Sequence, residues 1–243
     1  MESTFAGKAV LVTGANRGLG QALVAEALTR GAKRVYAGAR QPFSHPSARV
    51  VPVVLDVTDE TQIQRAVGQV ESLDVLINNA GVAISDDLSD RAVIEQHLAV
   101  NLFGPWSLTQ ALLPLLTRTN GAVVNVLSTA AAAALPIIPS YSISKAAAWS
   151  LSQSLRALLA PSGVSVHAVL AGPINTEMSR GFPVPKASTE SVAHAIFDAV
   201  QAGEDDIFPD PMSATLAESW QAGPVKEMER QNAALVAAEP IAA

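Results

Sequence analysis

The sequence contains no cysteine. That absence excludes a disulfide scaffold, a thiolate metal site and a cysteine nucleophile, and it suits a reducing compartment. Charge is also sparse. Only 16% of residues are Asp, Glu, Lys or Arg, and 16 basic against 22 acidic side chains leave a net charge of −6. A surface of that sign repels a phosphate backbone, so no nucleic acid is expected as a partner. No stretch supplies the roughly 18 uninterrupted apolar residues of a membrane span, and the opening "MESTFAGKAVLVTG" lacks the basic-then-apolar order of a leader peptide. The expectation is a soluble cytoplasmic protein with no membrane partner. Histidine is scarce too: His45, His97, His167 and His194 lie far apart without metal-ligand spacing, so no metal is assigned. His167, inside the apolar run "VSVHAVL", reads as a satisfied core or interface histidine.

What the chain does have is an apolar fraction of 49% over 243 residues, enough to bury about two thirds of its unfolded surface. One domain is expected over 1–243, with a core over about 5–210 and a helical tail over 211–243. Short Val-rich runs alternate with longer stretches of helical period, the pattern of βαβ units feeding a parallel sheet. Strands are predicted at Lys8 to Thr13, Arg34 to Ala39, Val50 to Leu55, Val75 to Asn78, Gly121 to Leu127, Val164 to Leu170 and Asp206 to Pro209. Their near-continuous apolar character points to helices on both faces. Helices are predicted at Leu19 to Arg30, Thr61 to Glu71, Arg91 to Thr117, Tyr141 to Ala160 and Thr189 to Ala202. Gly31 is placed as a left-handed C-terminal cap and Thr58 as an N-cap, with one or two surface helices and a frayed "AAEPIAA" in the tail.

The chemistry gathers where strands end. "VTGANRGLG" puts Gly14, Gly18 and Gly20 between the first strand and the first helix. A tight turn, open backbone and free helix N–H groups there suit a dinucleotide pyrophosphate. The second strand ends in Ala39 and then Arg40, with no carboxylate to hold a ribose 2′-hydroxyl. Arg40, together with Arg17 across the same pocket, favours the 2′-phosphate of NADP(H). In "YSISK", Tyr141 and Lys145 lie one helical turn apart, and Ser128 follows the fifth strand at the sheet edge where such folds bind ligands. Lys145 is expected to lower the phenol's pKa, and Ser128 to hydrogen-bond an oxygen that gains charge during hydride transfer.

These motifs, with "LDV", "NNAG", "VNLFG" and "AGPINTEM", stand in an order that resembles the short-chain dehydrogenase/reductase family to about residue 210. The resemblance implies a doubly wound Rossmann fold with a seven-stranded, mainly parallel sheet, and a tetrad of Asn101, Ser128, Tyr141 and Lys145. Tyr141 would be the general acid/base, Ser128 would orient the carbonyl, and Asn101 would hold a proton-relaying water. The cofactor set it implies adds Asn16, Leu19, Asp56, Val57, Asn79, Ala80, Gly81, Gly172, Ile174 and Thr176 to Gly14, Arg17, Gly18, Gly20 and Arg40, with Tyr141 and Lys145 at the ribose. One position departs from the pattern: Ala171 precedes Gly172 where the family usually has proline.

The expected reaction is reversible, NADPH-dependent reduction of hydrophobic ketones or aldehydes, because the segments after Ser128 and Thr176 are largely apolar. The alternatives are an NAD(P)-linked hydroxysteroid or polyol dehydrogenase, against which Ala39 counts, and a non-catalytic NADP(H)-sensing scaffold, which has no need of the tetrad. Asp86, Asp87 and Asp90 read as a solvated helix start and argue against an acidic acyl-carrier partner. The two long helical segments, carrying Trp106 and Trp149 as interface anchors, point to a homodimer or homotetramer.

Overall fold

Valine, leucine and alanine alternate between two faces of one sheet, and that alternation decides where every helix lies. The computed structural model of the chain describes residues 5–238. Its seven strands are β1 (Ala9–Thr13), β2 (Arg34–Ala39), β3 (Val50–Val54), β4 (Val75–Asn78), β5 (Ala122–Val126), β6 (Ser165–Val169) and β7 (Asp206–Ile207). They pair in the order β3-β2-β1-β4-β5-β6-β7, every pair parallel. The order reverses between β1 and β4, which opens a crevice at their carboxyl ends.

Among the described residues there are eight α-helices: α1 (Gly18–Thr29), α2 (Glu60–Gln69), α3 (Arg91–Leu98), α4 (Gly104–Thr119), α5 (Pro139–Leu159), α6 (Thr189–Ala202), α7 (Pro211–Gln221) and α8 (Pro224–Ala238). Val10, Val12 and Ile77 pack with Leu23, Ile196 and Phe197 of α1 and α6 on one face. Leu11, Leu76 and Val123 pack with Ile63, Leu108, Leu112 and Leu155 of α2, α4 and α5 on the other. Gly31 follows α1 with φ +86°, the left-handed cap expected of it. The cap of α2 is Asp59, which accepts from Gln62 N, and not Thr58; the Thr58 hydroxyl donates instead to Asp56. Among the described residues no helix is long and apolar enough to cross a membrane. The expected fraying of "AAEPIAA" lies largely outside the described residues.

The single helix expected over Arg91 to Thr117 is broken. Between α3 and α4, Ala99–Phe103 forms a π-helical turn. The cause is in the sequence: an α-helix would have residue 105 donate its N–H to the carbonyl of Asn101, and Pro105 has none to give. Gly104 beside it lies against Val57, where a Cβ would stand 2.7 Å from a Val57 methyl.

Trp149 is not left free to anchor a second subunit. Its ring packs at 4.5 Å on Trp220 of α7, and its Nε1–H donates to Asp206. Asp206 also accepts from Trp220 Nε1 at 2.9 Å and Lys226 Nζ at 2.6 Å, and Arg156 reaches it at 3.2 Å. Burial alone would raise this carboxyl, but Arg156 and Lys226 hold it below the usual carboxylate range. Arg156 and Lys226 also bond Glu229 of α8, so one buried cluster ties the tail to α5. His167 is likewise satisfied, with Nδ1 donating to the Glu204 carbonyl and Nε2 bonded to Ser165 Oγ. Replacing Asp206 by Asn would leave Lys226 charged, buried and underpaired. Asp206→Asn is expected to destabilise the protein by about 3–5 kcal/mol in urea unfolding; a loss below about 1 kcal/mol, the scale of a surface pair, would show that the cluster does not carry the tail.

Candidate active site

The crevice between β1 and β4 is closed below by a backbone staple. Thr13 Oγ1 accepts from the N–H groups of Asn79 and Ala80, both at 2.9 Å. Asn79 returns the contact by donating its side-chain amide to Thr13 O at 2.8 Å. Above this staple the chain turns through Gly14 (φ +64°) and Gly18 (φ +54°) into α1. At Gly20 a Cβ would stand 2.0 Å from the Gly14 carbonyl oxygen, so no larger residue fits the crossing. No side chain caps the N-terminus of α1, and its first turn carries no acidic residue. Those N–H groups face the crevice with an anion-binding dipole and no internal acceptor.

The residues predicted for the site are brought together here. The Thr176 side chain lies against Gly18, 3.3 Å from where a Cβ would be. Gly81 adjoins both Asn101 and Lys145, its ideal Cβ position 3.2 Å from Asn101 Oδ1 and 3.8 Å from Lys145 Nζ. Asp56 and Val57 follow β3 at the same edge, Asp56 accepting from Thr58 N at 2.9 Å. Ile174 pairs with Ala187 in an isolated parallel bridge and packs on the core. Arg40 is exposed at the end of β2. Arg17 is engaged elsewhere than expected: its guanidinium pairs at 2.5 Å with Glu177, just after Thr176.

Asn101 sits in the π turn and is buried. Its Oδ1 accepts from Val82 N, and its Nδ2 donates to Val82 O and Ser144 Oγ, each at 2.9 Å. Ser144 Oγ in turn donates to the Tyr141 carbonyl at 2.7 Å. The amide is therefore spent on joining the loop after β4 to α5. Ser128 caps the short helical turn Thr129–Ala131, accepting from Ala130 N at 3.1 Å. Its hydroxyl also meets the Tyr141 phenol. Lys145 is 5% exposed, and its Nζ donates to Val126 O at 2.9 Å and stands 5.7 Å from the Tyr141 ring centre.

The electrostatics differ from the sequence expectation. Burial raises the phenol of Tyr141 above its ordinary value, and the hydrogen bond to Ser128 only partly opposes it. Burial pulls Lys145 down to about 8. In the free protein desolvation outweighs the ammonium's pull on the phenol, because Lys145 points its proton at a carbonyl.

Two residues of the site were missed. Asp210, from the tail, accepts from Gly172 N at 2.7 Å and from Met212 N and Ser213 N at the start of α7. It clamps the segment after β6, and it brings Met212 against Gly172. Ala171 holds the same path by accepting from Thr129 N at 2.9 Å. Asp86 is the second: it accepts from the Ser140 hydroxyl, one residue before Tyr141. Asp90 caps α3 and Asp87 bonds Ser89 N, as a helix start would. Only the first had a cue in the sequence, since an Asp before Pro at a helix start is a capping signal.

The model of the short chain dehydrogenase family matches residues 8–184. A short chain dehydrogenase, pigC, of Monascus ruber is 34% identical over 203 residues, covering 74% of this chain and 67% of that protein. The 2,3-dihydro-2,3-dihydroxybenzoate dehydrogenase of Escherichia coli is 36% identical over 184 residues, covering 72% of this chain and 73% of that protein. The crystal structure of a short chain dehydrogenase from Burkholderia cenocepacia, in complex with NADP, superposes with a TM-score of 0.85 at 38% identity, covering 93% of this chain and 98% of that one.

Lys145 yields a prediction that needs no ligand. Its folded pKa lies below that of an unfolded lysine, so the unfolded chain binds more protons between about 8 and 10.5. Stability therefore falls as pH drops through that window and levels off below it. Lys145→Met should flatten this part of the curve and stabilise the free protein at pH 7 by about 1–3 kcal/mol. Urea unfolding at both ends of the window measures it, and a destabilised variant with an unchanged slope would refute it.

Proposed function

The chain belongs to the short chain dehydrogenase family, and on that premise we propose that it is an NADP(H)-dependent carbonyl reductase, reversible as an alcohol dehydrogenase. The observation that carries this reading is the meeting of Ser128, Tyr141 and buried Lys145 beside an uncapped, glycine-lined helix N-terminus. The crevice fits a dinucleotide: α1 offers free N–H donors at its start, and the end of β2 offers Arg40 with no carboxylate beside it. The turn from Gly14 to Gly20, with Asn16 and Leu19, would hold the pyrophosphate. Arg40 and Arg17 would hold the 2′-phosphate, Arg17 exchanging Glu177 for it. Asp56 and Val57 would border the adenine, and Asn79, Ala80 and Gly81 would line the groove. Tyr141 and Lys145 would hold the ribose, and Gly172, Ile174 and Thr176 the carboxamide.

When bound, NADP(H) supplies or accepts the hydride. The protein's part is to place and charge the oxygen that changes. The Ser128 hydroxyl donates to the substrate carbonyl oxygen and fixes its direction. The Tyr141 phenol donates its proton to that oxygen during reduction and takes it back, as phenolate, during oxidation. A positive Lys145 favours the phenolate by Coulomb attraction, which makes the two directions accessible near neutral pH. The carbonyl of Asn101, freed from its α-helical donor by Pro105, is the acceptor that would hold a water behind Lys145.

The mouth of the site supports a hydrophobic substrate. Leu135 and Ile137 are exposed in the segment after Ser128, Met178 and Val184 in the segment after Thr176, and Met212 of α7 lies against Gly172. Arg180 is 78% exposed and lies 3.8 Å from Glu177, a partner for its charge that supports a role other than holding a substrate carboxylate. The exposed Phe103, Trp106, Ile143 and Leu158 of the α4 and α5 region support a homodimer or homotetramer.

Two measurements test the proposal. NADPH should be preferred over NADH by about tenfold or more, and Arg40→Ala should weaken NADPH binding while sparing NADH, since a lost charge-assisted contact costs about 1.5–3 kcal/mol. Equal losses for both cofactors would reject the assignment. A phenyl ketone should be reduced much faster than a 2-keto acid of similar size, and Tyr141→Phe should cut that turnover by about 100-fold or more. A preference for the charged substrate would show that Arg180 or Lys186 turns inward.

A further inference from the structure

The loop after β4 is tied to the surroundings of Tyr141 by side chains that the proposed reaction does not use. His97, the next to last residue of α3, is 0% exposed, and both of its ring nitrogens are committed. Nε2 accepts from Ile84 N at 3.0 Å, and Nδ1 stands 2.8 Å from the Val93 carbonyl, which can only accept. A ring that accepts at Nε2 and donates at Nδ1 is the neutral Nδ1–H tautomer, because an imidazolium would set N–H against N–H at Ile84. The same ring meets the Tyr141 ring in an edge-to-face arrangement, with centroids 6.4 Å apart and planes at 73°.

Two residues further along, the loop is held again. Asp86 accepts from the hydroxyl of Ser140 and, at 3.3 Å, from its N–H. Ser140 is the buried neighbour of Tyr141 in the first turn of α5, and Ile138 at the N-cap of that helix has no capping side chain. Asp86 therefore serves as a cap supplied from another part of the chain. Beyond it Leu88 takes φ +67°, a left-handed conformation that a leucine keeps only where its surroundings impose it. One short stretch of loop is thus fastened at two places around Tyr141. One tie runs to the ring that packs on the phenol ring, and the other to the residue before it in the chain.

We propose that His97 is a positioning residue for the reaction: fixed as a neutral ring, it holds the loop after β4 at Ile84 beside the phenol ring of Tyr141, and Asp86 completes the hold through Ser140. The hydrogen bond carries more of this than the ring contact, since an N–H deprived of its acceptor inside the protein loses more than a ring pair at 6.4 Å gains. Neutrality is part of the role. A cation at position 97 would release Ile84 and would set a second positive charge near a phenol that already has Lys145 Nζ 5.7 Å from its ring centre. Both partners of the ring are backbone groups, and the charged residues of α3, Arg91 and Glu95, pair with each other at 2.6 Å in the open.

The effect on rate rests on the carbonyl-reductase reading above; the state of the ring does not. In wild-type protein without cofactor, isotope-labelled NMR of the ring nitrogens at mildly alkaline pH should show His97 protonated at Nδ1, the minor tautomer of free histidine. A proton on Nε2, or an exchanging mixture, overturns the proposal. In the kinetic arm, rates are taken per NADPH-binding site, so that unfolded protein does not count. His97→Leu removes both contacts and should lower kcat for ketone reduction about tenfold, while the NADPH Kd and the ketone KM move by less than about threefold, because a misplaced phenol fails in the transition state and not in binding. His97→Gln can still accept from Ile84 N and should recover most of the loss. His97→Phe keeps a ring on Tyr141, leaves Ile84 unpaired and should recover less. An unchanged kcat in His97→Leu, a loss that falls on KM instead, or a phenylalanine variant faster than the glutamine one overturns the positioning role. If the variants at position 97 do not fold, Asp86→Ala loosens the same loop. It should lower kcat about threefold or more at unchanged NADPH Kd, and Asp86→Asn, whose amide oxygen can accept from Ser140, should restore it. An alanine variant as fast as wild type, or an asparagine variant as slow as the alanine one, overturns the proposal. Failure of the proposed reaction reads differently, as wild-type protein that turns over no carbonyl compound while His97 keeps its proton on Nδ1.

Discussion

An ammonium group sunk to 5% exposure beside a single backbone carbonyl sets the terms for the rest of this molecule. A charge in that position is costly unless something compensates it, and burial already brings Lys145 down to about 8. Among the described residues the surrounding architecture supplies polar groups and no carboxylate. β5 turns the Val126 carbonyl toward the lysine, the π turn brings Asn101, and the loop after β4 passes close enough that only glycine fits comfortably at position 81. A neutralising acid there would stabilise the fold and quench the positive field. Its absence leaves the lysine's charge available to a neighbour, and the nearest titratable neighbour is the Tyr141 phenol, itself raised by burial. Stability and chemistry oppose each other at this one residue.

The tail has a larger share in the site than its position in the chain suggests. Asp206 and Asp210, four residues apart, do different work. Asp206 gathers Trp149, Trp220, Lys226 and Arg156 into a buried cluster that fastens α7 and α8 to α5. Asp210 reaches the opposite way and holds Gly172, at the start of the segment that ends in Thr176 and Glu177. The same short stretch of chain, from β7 to the start of α7, therefore connects α5 with the segment lying over the glycine turn. Any movement of the Arg17–Glu177 pair takes place against a segment whose far end is clamped.

Much of the architecture was legible in the sequence because hydrophobic runs carry it. The ranges Arg34–Ala39, Val75–Asn78 and Thr189–Ala202 coincide with the elements found, and the other strands differ by a residue or two at their ends. The meeting of Tyr141, Lys145 and Ser128 was also legible, since helical spacing and position after β5 are local properties. What escaped was long-range pairing. Nothing in "SATLAESWQAGPVKEMER" announces that Trp220 and Lys226 converge on Asp206, because a composition that suits a surface helix suits a docked one equally well. The ion pair of Arg17 escaped for a related reason: a charge is visible in sequence, but its partner 160 residues away is not.

The break at Ala99–Phe103 shows how such a feature can be legible and still be overlooked. Helical periodicity runs through the whole of Arg91 to Thr117, and period alone argues for one helix. The decisive residue is Pro105, whose missing N–H removes the bond that would close over Asn101. Proline near a helix start is commonplace and was covered by the following periodicity, so its effect four residues upstream carried no weight. In three dimensions that effect falls on a residue in the wall of a cavity shared with Lys145, and Asn101 spends its side chain bracing Val82 and Ser144. The irregularity falls where Asn101 is placed, and there its side chain holds the frame by tying the loop after β4 to α5.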